Sequence, residues 1–381
     1  MSRKGADRIA SGHPWVFSSD VQDRGGASPG DVVTVADPRG RPLGTAHYSD
    51  TSQISLRLLT ERFEPVDRSF FAGRLKAASE FRQRVVHDTS AYRLVHGEAD
   101  GLPGLVVDRY GDFLVIQTLD QGMDRSLPDI VACLEDLCAP SGIVARNDAA
   151  VRVRESLPRE STVLTGNVPD RVSVRLNGLT FLVDILRGQK TGFFLDQREN
   201  YSATARYARG HALDCFTFEG GFALHLAGGC ESVEAVDSSE HALCLARENA
   251  GLNGIGNVQF RQADVFDLLA GYSAAGRRFD TVVLDPPGFA KSRSAIEGAA
   301  RGYKDLNLRA LRLLGAGGVL VTCSCSHHVS EAMLLEIVAS ASLDADRKLR
   351  VLERRTQALD HPILLTIPET HYLKCVILEV A

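Results

Sequence analysis

The sequence predicts an α/β protein: a largely parallel sheet with helices on both faces in the C-terminal half, preceded by a small β-barrel and a central α+β unit. Two observations predict it. Beyond residue 180, apolar strand segments alternate with helical stretches, as in a parallel sheet joined by crossover helices. Ahead of that, short strands are broken by glycine and proline turns. Residues 12–60 contain strand-like Val32-Val33-Thr34-Val35 and residues 54–59, with turns at Gly25-Gly26, Pro29-Gly30 and Pro38-Arg39-Gly40. A barrel of under about 70 residues has a small core and is more often a recognition module than an enzyme. Helical spacing follows over residues 69–85, through Phe71, Leu75, Ala78, Phe81 and Arg82. Strands are expected at 92–95, 105–110 and 113–117, the last two joined by a Gly111-Asp112 hairpin. A helix over 127–137 and a strand at 142–146 complete a second unit that ends near residue 170. The parallel sheet takes strands at 212–216, 232–237, 258–260, 281–285 and 318–322, with helices such as 241–252 and 305–313 between them. Ligands of such sheets bind at the carboxyl ends of the strands.

With 381 residues the chain exceeds one ordinary domain. Its 44% apolar and 24% charged content is that of a globular protein. No run of about 18 apolar residues is present, and Met1 to Arg8 lack the apolar stretch of a secretory signal. A cytoplasmic protein without membrane contact is expected. Eight cysteines at irregular spacing point to reduced thiols and no disulfide framework. The net charge of −5 argues against a general nucleic-acid binder but allows one basic face. Through Arg62 the balance is eight Lys/Arg against seven Asp/Glu, a net of +1. Charge therefore does not name a partner.

Acidic residues stand at successive strand ends. Asp214 is followed by a loop holding Gly220-Gly221, where the backbone can approach a ligand and a helix begins. The loop has neither G-x-G-x-x-G nor a P-loop lysine, so a pyrophosphate is not expected. Asp237 ends the next strand, where an ionised carboxylate can accept from both hydroxyls of a ribose. Asp264 is placed to meet an adenine amino group. Each Asp alone can equally be a helix cap; three in succession with Gly-Gly favour a site. Adenosine without phosphate fits S-adenosylmethionine, and no metal is expected.

Two further segments carry chemistry. Leu284-Asp285-Pro286-Pro287-Gly288-Phe289 follows an apolar strand, and its Pro-Pro turn fixes the direction of the Asp side chain. Loops of this D-P-P-aromatic kind also occur in enzymes that methylate exocyclic nitrogens of bases. Thr322-Cys323-Ser324-Cys325-Ser326-His327-His328 follows the strand at 318–322, so its cysteines lie at the same sheet edge as Asp285. A thiolate there can attack carbon 6 of cytosine and make carbon 5 nucleophilic. The cysteines and histidines can instead bind zinc, although structural zinc sites usually draw spaced ligand pairs from two segments. Simple strand packing is the third possibility, and a strand of period two turns one of the two cysteines away from the site.

The residues at this point match a known family. Gly12-His13-Pro14-Trp15-Val16-Phe17, the run from Gly97 to Leu105, Gln189-Lys190-Thr191-Gly192-Phe193-Phe194-Leu195-Asp196-Gln197-Arg198, the Asp285-Pro286-Pro287 loop, Arg301-Gly302-Tyr303-Lys304-Asp305, Ser324-Cys325-Ser326 and Asp360-His361-Pro362 run over nearly the whole chain. In these it resembles the bacterial large-subunit ribosomal RNA cytosine-C5 methyltransferases of the RlmI type. The resemblance implies a PUA-like RNA-binding domain over 1–68, a central strand-strand-helix-strand-strand domain over 69–175, and a Rossmann-like class I methyltransferase domain with a mainly parallel seven-stranded sheet over 176–381. It implies methyl transfer from S-adenosylmethionine to a cytosine of 23S rRNA, free or in an assembling large subunit, by an enzyme that can be a homodimer. It places the nucleophile at Cys325 and not Cys323, with Asp285 as the second catalytic candidate. The implied cofactor set is Phe194, Asp196, Arg198, Asp214, Phe216, Gly220, Gly221, Phe222, Asp237, Ser238, Asp264, Val265 and Asp285. Pro286, Pro287 and Lys304 are expected to face the substrate.

The chain departs from the family pattern twice. Many RNA cytosine-C5 methyltransferases carry a second Cys after the first Pro of the D-P loop, where this chain has Pro287. Another base, Asp285 or a water, must then take the carbon-5 proton. Only about ten residues precede the His13-Pro14-Trp15 segment, where relatives have a strand, so an incomplete barrel is expected. An N-methyltransferase acting on guanine or adenine and a non-catalytic RNA-binding protein are the alternatives.

Overall fold

A computed structural model describes residues 1–381, apart from Lys291 and the side chain of Arg293. The chain forms two compact units: Met1–Arg175 with Val183–Leu195 and Leu359–Thr370, and Leu176–Leu182 with Asp196–Ala358 and His371–Ala381.

The first unit opens with helix α1 (Arg3–Ala10), capped by Ser2, whose hydroxyl accepts from the Gly5 N–H. Strands β1 (Trp15–Phe17), β2 (Val32–Ala36), β3 (Pro42–Tyr48) and β4 (Ile54–Thr60) form an antiparallel sheet in the order β1-β4-β3-β2. A helix thus stands before β1 where a strand was expected in relatives. Ile9, Val16, Val35, Ala46, Tyr48 and Leu56 make its core.

Helix α2 (Arg68–Val85), capped by Asp67, leads into a five-stranded sheet. Its strands β5 (Ala91–His96), β6 (Leu105–Tyr110), β7 (Phe113–Thr118), β8 (Gly142–Asn147) and β9 (Glu160–Gly166) lie in chain order. Helices α3 (Gln121–Arg125) and α4 (Leu127–Cys138) carry the chain from β7 to the parallel β8. This is one strand more than the strand-strand-helix-strand-strand order, because the turn at Gly111 closes a β6–β7 hairpin. A short hairpin follows, β10 (Val172–Leu176) and β11 (Leu179–Val183).

Two segments from beyond residue 175 belong to this first unit, and hydrogen bonds explain why. The Thr191 hydroxyl donates to Asp108 Oδ2 at 2.6 Å, and the Phe193 N–H donates to the Tyr110 hydroxyl at 3.0 Å. Arg82 donates to the Asp360 carbonyl at 2.8 Å, and the Arg93 N–H donates to the Asp360 carboxylate at 2.8 Å. Arg82 is 1% exposed, and a guanidinium so buried needs every donor occupied.

The second unit runs α5 (Arg198–Ala205), β12 (His211–Cys215), α6 (Gly221–Leu226), β13 (Ser232–Asp237), α7 (Glu240–Leu252), β14 (Val258–Gln262), α8 (Val265–Ala274), β15 (Phe279–Leu284), α9 (Ile296–Leu313), β16 (Leu314–Ser324), α10 (Glu331–Asp344), β17 (Leu349–Arg355) and β18 (Lys374–Val380). Its seven strands are ordered β14-β13-β12-β15-β16-β18-β17, with β18 antiparallel to both neighbours. Central strands read as continuous apolar runs because helices cover both faces; Leu213, Val282, Leu284 and Leu320 pack with Leu306, Leu311 and Leu334 of the helices. Strand order reverses between β12 and β15. The loops after Cys215 and Leu284 therefore diverge and leave a crevice at the carboxyl edge.

Candidate active site

The loop after β12 is built around one carboxylate. Asp214 Oδ2 accepts from the Thr217 hydroxyl at 2.6 Å and from the Ala223 N–H at 2.9 Å. Gly220, the N-cap of α6, has no side chain to cap the helix, so Asp214 does it from the preceding strand. Asp214 Oδ1 is buried with no hydrogen-bond partner among the described residues. Burial, with the negative charge of Asp285 adding to it, pushes the Asp214 carboxyl up to about 7. The same loop holds Phe216 and Phe218 at φ of 66° and 51°, a left-handed conformation that costs a non-glycine residue roughly 1–3 kcal/mol and clusters at functional sites.

The two glycines serve different needs. Gly220 sits at φ 87° and turns the chain into α6. Gly221 was expected to admit a ligand; its space is taken by Tyr201, whose ring carbon Cζ would lie 2.6 Å from a Cβ placed there. Tyr201 packs edge-on against Phe222 at 4.7 Å between ring centres. Gly221→Ala is expected to cost about 1–3 kcal/mol by overpacking. Gly228→Ala, with nothing within 4 Å of its Cβ, should be neutral. Urea midpoints of the two variants check this.

Asp237 ends β13 and accepts from the Phe218 N–H through Oδ2 and the Ser239 N–H through Oδ1, both at 2.9 Å. It locks the glycine loop to the next strand end. Ser238 is exposed beside it. Asp264 is exposed and caps α8, accepting from the Asp267 N–H at 3.1 Å, while Val265 enters the core. Next to them a cavity of about 360 Å³ is lined by Phe266, Phe289, Ala295, Gly298, Ala299 and Gly302.

Asp285 stands across the crevice, its N–H 3.4 Å from the Cys215 carbonyl. Gln197 Nε2 donates to Asp285 Oδ1 at 2.9 Å. Asn200 in turn donates to Gln197 Oε1 at 2.7 Å and accepts from Arg355 at 2.9 Å. This relay, running from α5 and β17, aims the Asp285 carboxylate. Asp196 is buried and accepts from the Tyr372 hydroxyl at 2.8 Å, and Arg198 is 1% exposed. Phe194 belongs to the first unit, where Lys190 Nζ lies 4.4 Å above its ring.

The strand pairing separates the two cysteines. Cys323 lies opposite Cys375 inside the sheet and is fully buried; burial pushes its thiol well above the ordinary range. Cys325 comes after β16 ends and is half-buried. A Cβ on Gly288 would lie 3.5 Å from both Cys325 Sγ and Ser326 Oγ, so the Asp-Pro-Pro-Gly loop lies against the Cys325 turn. Pro286 is buried and Pro287 exposed on that loop. Behind it, the Tyr303 hydroxyl meets Ser324 Oγ at 2.9 Å and Ser326 Oγ at 3.3 Å. Both flanking serines of Cys325 are thereby held from α9. Lys374, at the head of β18, donates to the carbonyls of Ser326 at 2.7 Å and Tyr372 at 2.8 Å.

One sheet edge carries Asp214, Phe216 and Gly220 at the loop after β12, Asp237 at the next strand end, and Asp285 on the loop that lies against the Cys325 turn. Lys304 is not among them. It follows the inward Tyr303 on α9, so it turns toward α10 and pairs with Asp344 at 2.8 Å, at the end of α10 remote from Cys325. Gln197, Tyr201, Tyr303 and Lys374 were not singled out from the sequence. The first and third lie within recognisable motifs; Lys374 shows only as a charged residue heading an apolar strand.

A family model for S-adenosylmethionine-dependent methyltransferases matches residues 92–363, and one for a PUA-like domain matches residues 1–61. Among curated proteins, the ribosomal RNA large subunit methyltransferase I of Aeromonas salmonicida (strain A449) is 44% identical over 371 residues, 95% of this chain and 94% of its own length. That of Escherichia coli O139:H28 is 41% identical over the same shares. Among solved structures, a Streptococcus mutans chain described as a SAM-dependent methyltransferase aligns with a TM-score of 0.85 at 21% identity, covering 99% of this chain and 98% of that one. A methyltransferase complexed with SAH aligns at 0.86 and 20%, covering 100% and 98%. At such identities these two establish the fold alone.

Proposed function

Since the chain belongs to the ribosomal RNA large subunit methyltransferase I family of S-adenosylmethionine-dependent methyltransferases, we propose that it forms 5-methylcytidine in 23S rRNA through a covalent bond from Cys325 to carbon 6. The observation that carries this reading is the half-buried Cys325 at the end of β16, in a turn that lies against the Asp285 loop. The N-terminal 1–68 serve as an RNA-docking module, 69–175 as a central module and 176–381 as the catalytic one. The substrate is the rRNA itself or an assembling large subunit in the cytoplasm, and light scattering tests whether the enzyme works as a homodimer.

The residues present fit the cofactor. S-adenosylmethionine is cationic at its sulfonium and amine, and this sheet edge presents the half-buried carboxylates of Asp237 and Asp285, with Asp214 buried behind the glycine loop. Asp214 Oδ1 lacks a partner, and Asp237 stands at the ribose-binding strand end. When bound, the cofactor supplies an electrophilic methyl group. The protein does the rest. Cys325 Sγ, as thiolate, bonds to carbon 6 and makes carbon 5 nucleophilic. A base removes the carbon-5 proton after methylation, the carbon 5–carbon 6 double bond re-forms, and the thiolate leaves. Asp285, aimed by Gln197, is the side chain at hand for that proton, since Pro287 occupies the place of a second cysteine. A cytosine within a duplex must first leave its stack.

The test is nucleoside mass spectrometry with bisulfite sequencing of 23S rRNA from a strain lacking the gene. One 5-methylcytidine should disappear. Loss of an N-methylated purine instead would replace this reading with the one favoured by the Asp-Pro-Pro-Gly-Phe loop.

A further inference from the structure

Lys374 is 3% exposed. A buried ammonium is costly unless paired. Among the described residues no carboxylate pairs with it: its hydrogen bonds are the two to the Ser326 and Tyr372 carbonyls. An ammonium has a third donor. Those two carbonyls fix Nζ against the turn that carries Cys325. The register explains the proximity. Lys374 lies opposite Ser324, so its four-carbon stem reaches past the end of β16, and Nζ binds the carbonyl of the residue just after Cys325. Other charged or titratable neighbours are engaged elsewhere. Cys323 faces Cys375, Tyr372 donates to Asp196, and Arg355 of β17 binds Asn200 and Glu353. His327 is exposed, 5.7 Å from the Tyr372 ring.

From this geometry we infer that Lys374 is the positioning residue that holds Cys325 as the thiolate, in an ammonium–thiolate pair anchored by two backbone carbonyls. The inference rests on Cys325 being the nucleophile. The proton balance is simple. The Cys325 S–H bond breaks, its proton passes to solvent water, and the sulfur keeps the electron pair that bonds to carbon 6, its negative charge met by the Lys374 ammonium. The carbon-5 proton goes to a different base, so Lys374 is still an ammonium when the carbon 6–sulfur bond breaks, ready to pair with the leaving thiolate. Burial lowers the Lys374 amine to about 8, with Cys325 opposing that shift. Its proton is thus exchangeable near neutrality, as an ordinary surface lysine's is not.

The experiment alkylates the full-length protein with iodoacetamide over a pH series and follows each cysteine by peptide mass spectrometry. In Lys374→Met, Cys325 should react about tenfold more slowly at neutral pH, a shift of about one pH unit in its profile. Exposed Cys244 should be unchanged, and Lys374→Arg, which keeps the charge, should recover most of the rate. A folded Lys374→Met with a wild-type Cys325 profile overturns the inference. Should that variant not fold, the wild type decides: a Cys325 that alkylates no more readily at neutral pH than Cys244 also overturns it. Cys325→Ala separates the premise, because methyl transfer surviving in that variant removes the nucleophile role whatever the alkylation shows.

Discussion

Cys325→Ala is expected to lose methyl transfer by on the order of 10⁴-fold or more, with the fold and cofactor binding intact. Carbon 5 of cytosine is a poor nucleophile until a sulfur adds to carbon 6, and no other described thiol is placed to do so. Cys323 is buried opposite Cys375, and Cys215 is buried in β12 with its thiol pushed well above the ordinary range by that burial. The fold should not suffer, since Cys325 is half-buried and its turn is held by Ser324, Ser326 and Tyr303. A stability change within about 0.5 kcal/mol is expected. RNA carrying 5-fluorocytidine gives a second readout. Fluorine replaces the proton that must leave, so the wild type is trapped as a denaturation-resistant adduct and Cys325→Ala is not. Radiolabelled methyl transfer, calorimetry with the cofactor and gel shift after denaturation measure the three effects.

Asp285→Asn is expected to lower turnover by about 10²–10⁴-fold, the usual range for loss of a general base, while making the apo protein more stable above neutral pH. The shape is kept, because the Asn carbonyl oxygen can still accept from Gln197 as Asp285 Oδ1 does at 2.9 Å. The stability gain follows from Asp214. Its carboxyl is pushed up to about 7, by burial first and with Asp285 contributing, against about 3.9 in an unfolded chain. Between those values the folded chain keeps a proton that the unfolded chain has lost. Stability therefore falls as pH rises through that window, by at most about 1.4 kcal/mol per unit, and is level above it. Neutralising residue 285 removes one of the causes and shrinks the fall, by on the order of 1 kcal/mol at pH 8. Melting temperatures across the pH range, beside single-turnover rates, test both halves. A variant equally active, or less stable than wild type at pH 8, contradicts the account.

Much of the site was legible because strand-end chemistry is local. Asp214, Asp237 and Asp285 each follow an apolar run, and that run fixes the end of the sheet at which they emerge. Cys325 could be told from Cys323 by motif, and the strand pairing supplies the reason: the last paired residue is Ser324. The glycine loop was read as letting the backbone approach a ligand, but what fills the space at Gly221 is Tyr201, some 20 residues earlier in the chain. Lys304 looked like a substrate contact from its neighbours in sequence; a helix turns each successive residue by about 100°, and that step sends it to Asp344.

The sequence by itself determined the parallel sheet, its order of acidic strand ends, the nucleophile candidate and the class of cofactor. The sheet, its acidic ends and the cofactor class follow from hydrophobic period and from residues adjacent in the chain, and the nucleophile candidate from the resemblance of Ser324-Cys325-Ser326 to the family's motif. Tertiary structure decided which distant segments join. Val183–Leu195 and Leu359–Thr370 pack in the first unit through Asp108, Tyr110 and Arg82, and Gln197 reaches Asp285 across 88 residues. It also decided that Lys374, the head of the last strand, faces the cysteine turn. Such pairings depend on strand order and antiparallel register, which are set by packing of the whole sheet and leave no local pattern in the chain.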